Sequence, residues 1–399
     1  MTEQKNSPVL RFPGFDSNWS KKRLKKIADI NPKSKQNRPE QFNYIDLESV
    51  KQGRIINISK VSKDNAPSRA QRIAKKQDIF FQTVRPYQQN NFIYNFDVDD
   101  VVVSTGYAQF RTINHKYYIF TLLHTYRFLV NVLLNCTGSN YPAINSTDLS
   151  NIEVYITENK LEQEKIGNFF SKLDRQIELE EEKLELLEQQ KRGYMQKIFS
   201  QELKFKDDNG NDYPNWKNEK LGDLINEVNE RTTSNNQYVL LSSTKNGLLS
   251  QEEYFKKQIG SKDSTGYKIL RLNQLVLSPQ NLWLGNINFN QRFDIGIVSP
   301  SYRIYNLSNQ FDINFAKDLL KSPRYIYEYA QASEQGASVV RRNLNLELFY
   351  SIKISLPSIE EQRKIGAFLN KLDKLIRKQY NKIEVLKQRK NGLLQKMFI

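Results

Sequence analysis

The chain has 399 residues, with 60 Lys and Arg against 44 Asp and Glu, a net charge of +16 at pH 7. That excess favours a polyanionic partner, nucleic acid before membrane surface. A single cysteine, Cys136, and only two histidines, His115 and His124, exclude a disulfide framework and a cysteine metal cluster and leave almost nothing for zinc or histidine chemistry. The N-terminus has no secretory pattern and no apolar run approaches a membrane span, so the expectation is a cytoplasmic protein.

Residues 1–18 are polar around Leu10-Arg11-Phe12-Pro13-Gly14-Phe15 and lead to Trp19 and Leu24. Short apolar runs bounded by turns then read as strands: Tyr44–Leu47, Asp78–Phe81 and Val101–Ser104. A helical stretch, Leu122 to Asn135, ends in the Gly-containing loop Cys136–Tyr141, and a last strand covers Ile152–Ile156. The second half repeats this order. Leu203-Lys204-Phe205 leads to Trp216 and Leu221, and strands follow at Tyr238–Leu241, Gln274–Leu277 and Gly296–Ser299. Its helical stretch is Phe315 to Ala332, its loop Ser333–Ser338 and its last strand Ile352–Leu356.

Each half closes on a long helix, and the two helices are near copies. Glu162–Phe199 and Glu361–Phe398 share 19 of 38 residues at a constant offset of 199. Seam positions step by four and three: Ile166, Phe170, Leu173, Ile177, Glu180, Leu184, Leu187, Lys191, Tyr194 and Ile198. The second seam runs Ile365, Leu369, Leu372, Ile376, Gln379, Ile383, Leu386, Lys390, Leu393 and Met397. The first helix is acidic between Glu178 and Glu188 and the second is basic between Lys371 and Lys396, which favours pairing of one with the other. An antiparallel register that faces Glu180 with Lys390 and Lys191 with Gln379 keeps each polar seam residue away from an apolar partner. The same register faces Ile177 with Leu393, Leu184 with Leu386 and Leu187 with Ile383. Phe169, Leu179, Leu186 and Leu375 lie off the seam as a second apolar stripe.

The fold class is therefore α+β. Two mixed α/β globules, residues 1–157 and 201–356, are separated by two long antiparallel helices, 158–200 and 357–399, as a coiled coil with a pseudo-two-fold internal repeat. No P-loop or dinucleotide turn is present. Ser299-Pro300-Ser301-Tyr302 lies near the Asn-Pro-Pro-Tyr pattern of amino-methyltransferases but lacks the amide that holds the target amino group. The carboxylate pairs Asp99-Asp100 and Asp207-Asp208 lie in turns without the acid–x–Lys partner of a nuclease.

What the halves do carry is polar, aromatic and basic loops. In the first half the candidate DNA contacts are Arg85, Tyr87, Gln88, Tyr107, Gln109 and Arg111. In the second they are Ser243, Lys245, Gln280, Asn281, Trp283, Arg341 and Arg342. Arg reads guanine and Gln or Asn reads adenine by bidentate bonds, whereas Lys and Ser mostly hold phosphates.

The repeated Glu162-Gln163-Glu164-Lys165-Ile166-Gly167 with Lys172-Leu173-Asp174, and Glu361-Gln362-Arg363-Lys364-Ile365-Gly366 with Lys371-Leu372-Asp373, carry a resemblance. So do Leu356-Pro357 before the second helix, where the first copy has Thr157, and Leu10–Phe15 before Trp19. With two variable halves between them, the chain resembles the specificity subunit of type I restriction–modification enzymes over its whole length. The resemblance implies a non-enzymatic reader of double-stranded DNA. Each half would be a target recognition domain for one part of a split, asymmetric site. The helices would space the halves and dock two methylation subunits, which carry S-adenosylmethionine. Restriction subunits, with ATP and magnesium, would join them. The residues by themselves leave open a stand-alone two-module DNA-binding regulator.

Overall fold

A computed structural model describes residues 6–34, 37–98, 100–244, 247–255, 263–338 and 341–399, with the backbone alone at 254, 255, 335–338 and 341. The chain forms two units, Met1–Glu182 with Asn381–Ile399, and Lys183–Tyr380. Each long helix contributes one half to each unit.

In the first unit β1 (Ser20–Arg23) and β2 (Asp29–Ile30) are followed by β3 (Gln41–Ile45), β4 (Ser59–Ser62), β5 (Ala70–Ile73), β6 (Ile79–Gln82), β7 (Phe92–Ile93), β8 (Val101–Ser104) and β9 (Tyr107–Arg111). They pair as two four-stranded sheets, β4-β3-β8-β5 and β2-β9-β6-β7, with β8 parallel to β3. Helix α2 (Tyr126–Leu134) fills the stretch expected to be helical, and α1 (Lys116–Leu122), which was not expected, precedes it. The break is chemical: the Thr125 hydroxyl accepts from the Phe128 N–H and caps α2. Helix α3 (Ser146–Asn151) leads into β10 (Glu153–Ile156), which pairs antiparallel with β1. Strands β6 and β8 are buried at every residue, which is why they read as apolar runs rather than alternating ones.

The long helix α4 (Lys160–Phe199) follows. The second unit then runs β11 (Lys217–Lys220), β12 (Ile225–Val228), β13 (Leu241–Thr244), β14 (Gly247–Ser250), β15 (Lys268–Arg271), β16 (Leu275–Leu277), β17 (Ile287–Phe289), β18 (Ile295–Val298) and β19 (Arg303–Leu307). Helices α5 (Ile313–Leu319) and α6 (Pro323–Gln331) stand where one helix was expected, with Pro323 at the break. The hairpin β20 (Ser333–Ser338) and β21 (Arg341–Leu344), α7 (Leu346–Ser351), β22 (Lys353–Leu356) and α8 (Ile359–Met397) complete it. The sheet β12-β19-β16-β17 matches β2-β9-β6-β7 strand for strand, and a parallel bridge from Leu240 to Ile297 repeats the pairing of β3 with β8.

The repeated motif of the long helices has a physical explanation in both units. The Gln163 carbonyl oxygen accepts from the His115 N–H at the start of α1, and its amide donates to the Thr157 carbonyl. Gln362 does the same for Asp312 N–H and the Pro357 carbonyl. One side chain thus ties the short helix, the incoming strand end and the long helix together, and Thr157 and Pro357 occupy the same place. Four residues on, Gly167 and Gly366 let the short helix press against the long one. A Cβ on Gly167 would lie 2.3 Å from the His115 ring, and one on Gly366 would lie 2.8 Å from Asn314 Cβ. The preceding glutamate is buried in both copies. Glu162 forms a two-bond ion pair with Arg11, at 2.5 and 2.8 Å, and Glu361 accepts from the Trp216 indole at 3.1 Å.

Within each unit α4 and α8 run antiparallel, and the seam residues are buried or half-buried except Tyr194. The expected register is wrong. Lys390 meets Asp174 at 2.5 Å, six positions before Glu180, and Lys191 meets Asp373 at 2.6 Å, six positions before Gln379. Glu180 instead pairs with Lys382. The seam lysines find their anions in the aspartates of the two Lys-Leu-Asp motifs, which flank the seam rather than occupy it. Lys191 also bonds Asp318 of α5 at 2.7 Å. Burial pushes the Asp318 carboxyl above its usual range despite that lysine. The second stripe is also corrected at one position: Phe169 packs edge-on against Phe12 and Phe170, while Leu179, Leu186 and Leu375 are exposed.

Gly366→Ala should therefore overpack the second unit and cost about 1–3 kcal/mol. Gly392→Ala, on the same helix with no neighbour within 4 Å, should stabilise by about 0.5–1 kcal/mol. Denaturant unfolding of the two variants should move in opposite directions; equal shifts would contradict the close-approach role of Gly366.

Candidate nucleic-acid interface

In each unit four separated segments meet at one end of the sheets. In the first unit the turn between β8 and β9 is hydrogen-bonded to the loop before β5, with Thr105 N–H donating to the Arg69 carbonyl at 2.8 Å. On its other side, the N–H and hydroxyl of Thr83 both donate to the Gly106 carbonyl, which brings in the turn after β6. That turn is clamped to the loop after α2, where Arg85 N–H donates to the Pro142 carbonyl at 2.7 Å. Arg85 sits at φ 53°, a left-handed conformation that this clamp holds. Its guanidinium lies 4.4 Å above the ring of Tyr141, which is 63 % exposed. Tyr87 is exposed beside it and Gln88 accepts from the Gln82 amide.

The second unit builds a matching place. The turn after β18, the start of β15 with the end of β12 and the residues after it, the turn after β16 and the hairpin after α6 line an open cleft of about 560 Å³. Here the cation and the ring have exchanged segments. Arg342, on β21, lies 4.4 Å above Trp283, which is on the turn after β16. Gln280 is exposed on that turn and Asn281 is half-buried. Cation–ring contacts of this kind contribute about 0.5–1 kcal/mol at exposed sites and leave the guanidinium edge turned outward for hydrogen bonding.

Several expected contact residues are structural instead. Tyr107 is fully buried, with burial raising its phenol pKa and its hydroxyl without a partner. Gln109 is 2 % exposed, and its amide donates to the Ile73 carbonyl and to Asp78. Arg111 is held in a two-bond ion pair with the same Asp78, at 2.9 and 2.7 Å. Ser243 is buried and bonded to Asn286 and Asn288. Lys245 lies outside the described residues, as does Asp99, and of Arg341 only the backbone, on β21, is described. Asp207 organises its own turn through Asn209 and Asn211, and Asp208 pairs with Lys364. Among the described residues no three His, Cys, Asp or Glu side chains converge as a metal site.

The geometry adds residues that sequence reasoning missed. Arg69 and Arg72 flank the first-unit turn, Arg72 with its Nε on the Tyr107 carbonyl at 2.7 Å. Arg231, Lys268 and Arg303 line the second-unit cleft. Arg303 is paired with Glu227 at 2.5 Å. Lys268 is only 6 % exposed, and burial lowers its ammonium pKa against the pull of Glu227. Lys268 and Arg303 begin strands that read as sheet interior, and nothing in the local pattern marks a cation there as lining a cleft. In the first unit, half-buried His124 has its pKa pushed down to about 4, by desolvation first and then by Lys390.

The reassigned residues predict opposite stability effects. Tyr107→Phe removes an unpartnered buried hydroxyl and should leave the protein as stable or slightly more so. Gln109→Leu strips a donor from Asp78 and should cost about 1–3 kcal/mol in denaturant unfolding. A loss of the same size from Tyr107→Phe would contradict the assignment.

The family model for the type I restriction modification DNA specificity domain matches twice, over residues 16–189 and 203–387. Among solved structures, a chain from a study titled for complex assembly and conformational transition of the type I R-M system superposes at a TM-score of 0.58, with 18 % identity over 98 % of this chain and 99 % of that one. The S subunit of a type I restriction–modification system from M. genitalium superposes at 0.55, with 16 % identity over 98 % and 99 %. These likenesses are of fold. The family match spans most of the chain in two copies, one per half, and among the described residues no helix is long and apolar enough to cross a membrane. The chain belongs to the type I restriction–modification DNA specificity family, as a DNA-recognition subunit that is not itself an enzyme.

Proposed function

We propose that each unit reads one part of a split, asymmetric DNA site through the face just described. The observation that carries this reading is the convergence of corresponding turns in both units, each unit placing an arginine over an aromatic ring. A guanidinium fixed in plane by a ring is preorganised for the two acceptors of guanine in the major groove. Arg85, Tyr87 and Tyr141 serve the first half-site, and Arg342, Trp283 and Gln280 the second. In this reading residues 1–157 and 201–356 are the recognition domains, and 158–200 and 357–399 the spacer helices.

Exposed Leu179 and Val385 in the first unit, and Leu186 and Leu375 in the second, are surfaces for methylation subunits, two per chain. Those subunits would hold S-adenosylmethionine, and restriction subunits would bring ATP and magnesium, with the assembly working in the cytoplasm.

Purified complex with a methylation subunit should bind a split site sequence-selectively. Arg85→Ala should weaken that binding by about 1–3 kcal/mol and relax one position of one half-site, and Arg342→Ala should do so in the other half only. A single substitution that relaxes both halves would contradict the two-module reading.

A further inference from the structure

Lys268 is the most conspicuous charge in the molecule without a role. It begins β15, in the cleft of the second unit, with only 6 % of its surface exposed. Among the described residues its ammonium has no hydrogen-bond or ion-pair partner. A nearby carboxylate, Glu227, is already committed to Arg303 at 2.5 Å. The remaining cations of the cleft add to the excess. Arg231 spends one N–H on the Gly266 carbonyl at 2.9 Å, and Arg342, over the Trp283 ring, spends one on the Ala330 carbonyl at 3.4 Å. The cleft therefore holds four cations and one anion. The Lys268 ammonium faces the open cleft, partly desolvated, and an anion entering that cleft gains a charge-assisted contact with it.

The chemistry narrows the partner. An ammonium is a compact point charge without the planar fork that reads a base edge, and it suits a phosphate. A base acceptor is only a dipole and offsets little of the cost of burying the charge. The cleft, at about 560 Å³, has room for a phosphodiester group with its sugar. It is bordered by Gln280 and Arg342, the residues assigned above to base reading. A phosphate seated here would set the register of those side chains on the duplex.

We propose that Lys268, with Arg231, forms a seat for one DNA backbone phosphate, which positions the second unit on its half-site. This rests on the reading that the face binds DNA. The first unit has an arginine, Arg72, at the matching place: Arg72 pairs with Val103 of β8 as Lys268 pairs with Val298 of β18. There the cation is already tied to the Tyr107 carbonyl, so the unpaired form of the seat belongs to the second unit.

The test uses the full chain in complex with its methylation subunit. Lys268→Met and Lys268→Gln should weaken binding about five-fold near physiological salt. They should reduce the slope of log affinity against log salt by about one. The loss should be the same on the cognate site and on sequences altered in either half. Lys268→Arg should retain most of the affinity. Neither neutral variant should melt below the wild type, because each removes an uncompensated charge. Relaxation at one base position would make Lys268 a base reader and overturn the phosphate assignment. So would unchanged affinity and salt slope in the neutral variants while the wild type still selects its split site. A wild-type complex without sequence-selective binding would overturn the DNA-reading face and the seat together.

Discussion

The structure depends on one close approach, made twice. A short helix of each unit presses on a long helix at a glycine, and a glutamine one turn earlier caps the short helix and holds the strand end. Strand, short helix and long helix are joined at one point with no slack for a side chain. The buried glutamate before each glutamine anchors the segment that leads into the unit, through Arg11 in the first and Trp216 in the second. This junction is the part of the chain that repeats most closely, which follows from its geometry: a Cβ at the glycine or a shorter side chain at the glutamine would break it. The segments that meet at the candidate interface carry no such constraint and differ between the halves.

That division explains how one architecture can serve two different readings. The sheets hold four turns together by backbone hydrogen bonds, as in Thr105 to Arg69 and Arg85 to Pro142. The side chains on those turns are left to vary. The arginine and the ring have exchanged segments between the units while keeping the same 4.4 Å separation. The geometry of the face is conserved by the backbone, and its chemistry is set by the few residues at its rim.

Much of this was legible in the residues. The heptad seam follows from periodicity, the pairing of the two helices from charge, and their antiparallel sense from the internal repeat. The register did not, because the partners of Lys191 and Lys390 sit beside the seam, at Asp373 and Asp174, where a seam-only argument does not look. The loops around Arg85 and Trp283 stand out in the sequence because turn residues, aromatics and cations cluster there. Tyr107, Gln109 and Ser243 were misread for one reason: a polar residue in a short strand looks like surface, whereas β9 and β13 lie inside the unit and use those side chains internally. Lys268 was missed for the converse reason. Its strand reads as interior, and only the fold shows that the strand end opens into a cleft.

The central claim is that two units of one chain read two separated stretches of DNA. Mapping methylated positions across the genome of a cell that expresses this chain with its methylation partner tests it most directly. The account predicts a motif of two defined stretches, different from each other and divided by an undefined gap of fixed length. A single uninterrupted motif, or methylation without a motif, would contradict it.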